Sequence, residues 1–200
     1  MHNGNICKGE HGFRGNRNRR GPSSFSMQHP SLVFSELKLK AGEIFLDMGC
    51  GAGDYTIEAA KRLGDSGVVY ALDVWKELIN NLANEVDSNG LKNIKPMVAD
   101  ITDKLPIEDN SVDICFIATV LHAIDIGKTK NNVFSEIHRV LKPNGRLAII
   151  ECKKEERHFG PPIHMRLSPQ ELEALTLQYG FKKTDLVDLG YNYMLQLTVK

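Results

Sequence analysis

A short apolar run that breaks into alternating glycines constrains this chain more than any other feature. Residues 44–54 read Ile-Phe-Leu-Asp-Met-Gly-Cys-Gly-Ala-Gly-Asp, so Gly49, Gly51 and Gly53 follow Asp47 at alternate positions. A helical pattern begins at Asp54 and continues through Tyr55, Ile57, Ala59, Ala60 and Leu63. A strand that turns through glycines into a helix lets the backbone approach a ligand closely, because no Cβ stands between them. In open α/β sheets the carboxyl end of such a strand is where nucleotides bind. The same pattern also serves as a plain strand–helix turn, so the segments downstream must decide.

The spacing discriminates between ligands. A dinucleotide loop needs G-x-G-x-x-G, with its pyrophosphate resting on the helix N-terminus. Here the third glycine comes one residue early and position 54 is Asp. A carboxylate there caps the helix and repels a phosphate. With Asp47 before the loop the pocket is acidic. It suits a nucleoside that has no phosphate and carries two positive centres, a sulfonium and an ammonium. S-adenosylmethionine is such a molecule, and a nicotinamide dinucleotide is disfavoured.

The chain has 200 residues, which sets a prior of one domain with a substantial core. Lys+Arg and Asp+Glu each number 25, so the formal charge is zero. That balance argues against nucleic acid as the main partner, since phosphate neutralisation shows as a basic excess. No apolar run approaches the roughly 20 residues that span a bilayer. The start, Met1-His2-Asn3-Gly4, has no apolar segment of the kind a signal peptide needs. The cysteines are Cys7, Cys50, Cys115 and Cys152, without a C-x-x-C pair, which makes a reducing cytoplasmic setting the expectation. Cys7-x3-His11 is too sparse for a metal site, and no metal is expected.

Residues 1–28 differ from the rest. They are rich in Gly, Asn, Ser and Arg, with Ile6, Phe13 and Phe25 scattered among them, and they show neither helical nor strand periodicity. They read as a mobile arm, or alternatively as a flap over a bound substrate or a contact for an anionic partner. From residue 29 to residue 200 the chain reads as one domain. Pro30 opens a short helix, strand patterns fall at 44–47, 68–72, 94–98, 112–117 and 146–151, and helices at about 54–63, 75–88 and 128–141 lie between them. A helical turn is possible near 121–125, and Leu141–Gly145 reads as a turn. Ser168-Pro169-Gln170-Glu171 is a helix start, with an N-cap, Pro at N1 and a carboxylate at N3. Two strands close the chain near 182–188 and 191–199. Apolar strands alternating with helices indicate a parallel sheet covered on both faces.

The strand at 68–72 ends in Asp73, about 20 residues past the glycines. An acidic residue there is placed to accept hydrogen bonds from ribose hydroxyls, and it serves equally as an N-cap for the helix that follows. The third strand runs into Ala99-Asp100-Ile101. Asp100 reads either as an acceptor for an adenine amino group, with Ile101 against the base, or as an ordinary loop aspartate. Leu105-Pro106-Ile107-Glu108-Asp109-Asn110-Ser111-Val112-Asp113 then turns into the fourth strand, which ends at Ala118-Thr119-Val120-Leu121-His122.

Taken together, Leu46-Asp47-x-Gly49-x-Gly51-x-Gly53, Asp73, Asp100-Ile101, Leu105-Pro106-x-x-Asp109-x-Ser111-x-Asp113 and Leu141-Lys142-Pro143-x-Gly145 resemble the class I S-adenosylmethionine-dependent methyltransferases. The likeness covers about residues 30–152 and is greatest to the type 11, ubiquinone/menaquinone-biosynthesis-like branch. It implies a Rossmann-like α/β fold with a seven-stranded sheet in the order 3-2-1-4-5-7-6, the last strand antiparallel. It also implies that Asp47, Gly49, Cys50, Gly51 and Gly53 surround the methionine part of the cofactor. Asp73 would hold the ribose, Val74 would pack on the adenine, Asp100 and Ile101 would meet its edge, and Ala118 and Thr119 would approach the methyl donor.

A sulfonium methyl is already activated, so the protein must mainly align the reactants and exclude water. Where the acceptor must lose a proton, a base contributes about 10²–10⁴-fold. His122 is the first candidate for that role and Glu151 the second; each has a purely structural alternative. Residues 153–166 form a long loop between the fifth strand and the last helix and read as a lid. Within it His158, Phe159, His164 and Arg166 are candidate substrate contacts, while the charges at 153–157 suit a solvated face. The acceptor expected is a small molecule. An RNA or protein methyltransferase, a non-catalytic cofactor-binding module and metalloid methylation through Cys50, Cys152 and a tail thiol are the competing readings. The Asn/Asp-Pro-Pro-aromatic motif of amino-group methylating enzymes does not occur at the end of strand four. The oligomeric state, monomer or homodimer, is left open.

Overall fold

A computed structural model describes residues 24–200; residues 1–23, with Cys7 and His11, lie outside the described residues. The elements are α1 (Pro30–Leu37), β1 (Ile44–Met48), α2 (Asp54–Leu63), β2 (Val68–Asp73), α3 (Lys76–Ser88), β3 (Ile94–Val98), β4 (Val112–Ala118), α4 (Ile126–Val140), β5 (Leu141–Cys152), α5 (Pro169–Leu177), β6 (Phe181–Leu189) and β7 (Asn192–Val199). The strands form one sheet in the order β3-β2-β1-β4-β5-β7-β6. β1 to β5 pair in parallel, and β7 runs antiparallel to both β5 and β6. This is the order, with its one reversed strand, that the resemblance implies.

Alternation along the strands explains the layers. On β4, Cys115 and Ile117 face one side while Ile114 and Phe116 face the other; on β5, Leu147 and Ile149 oppose Ala148 and Ile150. Both faces are apolar, as expected for strands buried on two sides. The first face is covered by Val133, Phe134, Ile137 and Val140 of α4 with Leu172 of α5. The second is covered by α1, α2 and α3, the last presenting Ile79, Leu82 and Val86 as one stripe. Each fully buried aliphatic side chain contributes about 1.5–3 kcal/mol.

Two segments depart from the sequence reading. The turn expected over Leu141–Gly145 is absorbed into β5. Leu141 pairs with Val112 and Arg146 with Ile114, so residues 142–145 bulge outward, with Asn144 at φ 62°. The Leu105–Asp113 motif turns out to be scaffold. Arg139 of α4 donates to the Leu105 and Ile107 carbonyls and to the Asp109 and Glu136 carboxylates. Asp113 accepts from the Ile44 N–H and from Lys142.

The carboxyl end of α1 is tied down by Arg146, which donates to the Leu37 carbonyl and pairs with Glu43. α1 spans about 12 Å, so its amino end reaches the rim where the parallel strands finish. Ser24–Met27 forms a 3-10 turn there. Phe25 packs edge-on against Tyr55, in the first turn of α2, at 5.0 Å between centroids. Of the stretch read as an arm, residues 24–28 are therefore seated on the domain. Among the described residues, no helix is long and apolar enough to cross a membrane.

Candidate functional site

The glycine loop is the floor of the site. Gly49, Gly51 and Gly53 adopt φ of 77°, 54° and 83°, the left-handed region that side chains with a Cβ enter at a cost. Gly49 also has no room for a side chain, since a Cβ there would stand 2.5 Å from Val120 Cγ2. The loop after β1 thus lies directly against the segment after β4.

Four backbone donors of this loop are already committed. The Gly49 and Cys50 N–H groups donate to the Leu72 carbonyl, and Gly53 donates to the Cys50 carbonyl. Gly51 donates to Asp73 Oδ2 at 2.9 Å. A phosphate-binding loop works by offering free N–H groups, and these four are spoken for inside the protein.

Charge points the same way. Asp47 is buried beneath the loop, accepting from the Thr56 hydroxyl at 2.6 Å. Burial pushes its carboxyl up to about 7, with the Thr56 hydrogen bond opposing and the Asp73 charge adding to the rise. Burial also pushes the Cys50 thiol up, with the charges of Asp47 and Asp73 adding to the effect. Two carboxylates under one loop favour a cation above it. Asp73 Oδ1 additionally accepts from the Trp75 N–H, but α3 begins at Lys76 with Trp75 at its N-cap and no side-chain cap, so Asp73 is not the N-cap the sequence offered as an alternative. Beside it Val74 is 50% exposed, Trp75 68% and Val98 51%. Three open apolar side chains thus stand at the neighbouring ends of β2 and β3. An acidic floor, committed N–H groups and an apolar rim fit a phosphate-free, positively charged nucleoside.

Other expected positions are distributed unevenly. Asp100 is exposed and accepts from the backbone and hydroxyl of Thr102 in a tight local turn. Ile101 packs into the core rather than standing on the rim. At the end of β4, Ala118 is followed by Thr119 at φ 57°, held there by its N–H on the Ile150 carbonyl. Strain of this kind at a strand end persists only where the surroundings impose it.

The two residues read as acid–base candidates meet. His122 Nδ1 lies 2.9 Å from Glu151 Oε2, and Glu151 Oε1 accepts from the Leu121 N–H. Glu151 is 1% exposed and the His122 side chain 20%. In the tautomer that donates from Nδ1 to this carboxylate, Nε2 is the ring's acceptor.

The 153–166 loop is built around Arg166, which departs from its expected role. It is 3% exposed and donates to the carbonyls of Lys153, Glu155, Phe159 and Pro161. Its guanidinium is consumed in shaping the loop and does not face a substrate. Tyr191 completes the clamp by donating to the Phe159 carbonyl and stacking on the Phe159 ring at 4.4 Å. His158, Phe159 and His164 are left exposed. Sequence reasoning missed Trp75 and Val98 on the rim, Tyr191 in the clamp and Gln28 in the amino-terminal turn. The sole tryptophan, two residues after Asp73, was a visible signal; the others depend on contacts across the fold.

Comparison with known proteins agrees with this geometry. The methyltransferase-domain family model matches residues 39–184. The crystal structure of an S-adenosylmethionine-dependent methyltransferase from Aquifex aeolicus superposes with a TM-score of 0.81 at 34% identity, covering 90% of this chain and 95% of that one. A demethylmenaquinone methyltransferase of Lactobacillus johnsonii is 36% identical over 121 residues, 60% of this chain and 48% of the relative. An arsenite methyltransferase of Halobacterium salinarum is 34% identical over 108 residues, 54% of this chain and 27% of the relative. The chain thus spans about half the length of the first of these curated relatives and about a quarter of the second. With a family model matched over residues 39–184 and a solved relative that covers 90% of it at 34% identity, the chain belongs to the S-adenosylmethionine-dependent methyltransferase family.

Proposed function

We propose that this protein methylates a small quinol-type acceptor from S-adenosylmethionine, with Glu151 and His122 handling the acceptor's proton. The observation that carries the reading is the Glu151–His122 pair. It stands where β4 and β5 end, one short segment from the loop that Gly49 presses against Val120. When bound, the cofactor supplies a methyl group activated by its sulfonium. The Gly49–Gly53 loop with Asp47 and Asp73 would hold its charged and ribose parts, and Val74, Trp75 and Asp100 its base. His122 Nε2 takes a proton from a ring hydroxyl of the acceptor, which raises the electron density at the ring carbon that accepts the methyl. Glu151 holds the imidazole in the tautomer this requires and stabilises the positive charge it gains. The exposed side of the 153–166 loop, with His158, Phe159 and His164, would form the outer wall of the acceptor site.

The named relatives divide between a quinone and arsenite. Thiol chemistry favours the former. Cys50, Cys115 and Cys152 are all buried, and burial pushes each thiol above its ordinary range. An arsenite acceptor calls for accessible thiolates, which these three residues do not provide.

The test uses a 2-unsubstituted 1,4-naphthoquinol with labelled S-adenosylmethionine, following the ring-methylated product by mass spectrometry. Glu151→Gln and His122→Gln should each lower kcat by about 10²–10⁴-fold. Both should bind S-adenosylhomocysteine as tightly as the wild type, read from the fluorescence of Trp75. Failure of the wild type to bind S-adenosylhomocysteine would overturn the cofactor reading, and full activity in both variants would remove the proton-transfer role.

A further inference from the structure

Gln28 is 7% exposed, and neither its amide oxygen nor its amide nitrogen has a hydrogen-bond partner. An unpartnered buried amide is costly, and native structures keep few of them. Its surroundings say what is missing. Three residues before it, Phe25 rests on Tyr55; six residues after it, Phe34 packs on the same ring at 6.3 Å. Tyr55 is the second residue of α2, which starts immediately after Gly53. Gln28 thus lies between two residues that pack on the first turn of the helix following the glycine loop.

That loop faces a shortage of donors. The N–H groups of Gly49, Cys50, Gly51 and Gly53 are all engaged within the protein, and the acidic groups beneath them suit only the positive part of a ligand. The carboxylate of a zwitterionic amino-acid group brought to this loop must find donors other than those four N–H groups. The Gln28 amide can donate through Nε2 and accept through Oε1. We propose that Gln28 binds the amino-acid end of the cofactor. Nε2 donates to the carboxylate, Oε1 is turned to the ammonium, and the 24–28 turn closes over them as a cover. This rests on the cofactor reading above and extends it to a residue outside the family's glycine and acidic motifs.

Paired ligands test it on the full chain. S-adenosylhomocysteine carries the amino-acid end; 5′-methylthioadenosine keeps the nucleoside and thioether but lacks it. Gln28→Leu preserves bulk and removes both polar atoms. Calorimetry should show at least about tenfold weaker binding of S-adenosylhomocysteine, with 5′-methylthioadenosine changed by less than about twofold. The ligand-free Tm should hold or rise, because an orphan amide has been removed. Gln28→Glu sets a charge against the ligand carboxylate and should weaken S-adenosylhomocysteine further, again sparing 5′-methylthioadenosine. Equal losses for both ligands, or no loss for S-adenosylhomocysteine, would overturn the proposal. A wild-type chain that binds neither nucleoside would instead overturn the cofactor reading beneath it.

Discussion

Replacing Asp47 by Asn isolates what it costs to keep a carboxyl group under the glycine loop. Asp47 is 2% exposed, and burial raises its carboxyl from the ordinary 3.8 to about 7 in the folded chain. Between those two values the folded protein holds a proton that the unfolded chain has released. Stability therefore falls as pH rises through this window, and the full penalty is present above it. A rise of about three pH units, at about 1.4 kcal/mol each, amounts to about 4 kcal/mol. Asn carries no charge at any pH. The unfolding free energy of Asp47→Asn relative to wild type should therefore shift by about 4 kcal/mol in favour of the variant between about pH 4 and about pH 8. Urea unfolding of ligand-free protein, followed by circular dichroism, measures this. Constant changes in hydrogen bonding to Thr56 cancel, because only the pH-dependent part is compared. A difference that stays flat to within about 1 kcal/mol across the window would refute the buried-carboxyl argument. The same linkage reaches the ligand. A cation over the loop favours the ionised carboxylate, so its binding should tighten as pH rises from about 6 to about 8 in the wild type and stay level in the variant.

Gly49→Ala combines a left-handed φ of 77° with a Cβ 2.5 Å from Val120. It should lower stability by about 2–4 kcal/mol in urea unfolding, and a companion Val120→Ala change should restore part of the loss; no restoration would separate the two loops. Arg166→Leu removes four donated hydrogen bonds from the 153–166 loop. Limited proteolysis should then cut within 153–166 while S-adenosylhomocysteine affinity is kept, and equal resistance in both proteins would deny the clamp.

The legible part of this chain was its local grammar. Alternating glycines fix the backbone angles of their own residues, and strands with both faces apolar announce a sheet between helix layers. α2 falls on the residues its periodicity marks, and α5 opens on the Ser168–Glu171 capping box read from the sequence. Signals of this kind act within a few residues of one another and survive without knowledge of the fold. Motifs were less transparent where one residue type serves two ends. Asp109 and Asp113 sit in the family pattern yet act on Arg139 and Lys142 as ties between elements.

What the sequence by itself determined is the element order, the phosphate-averse loop and the acidic residues at two strand ends. Only the tertiary structure decided what each polar side chain is paired with inside the protein. Arg166 looked like a substrate contact and spends its donors on its own loop; Gln28 lay in a stretch without periodicity and stands buried with its amide unpartnered; His122 and Glu151 lie 29 residues apart and meet in one hydrogen bond. Backbone conformation is set largely by neighbours in the chain, but the solvation and pairing of a polar side chain are set by whatever the fold brings against it, and that is not encoded at its own position.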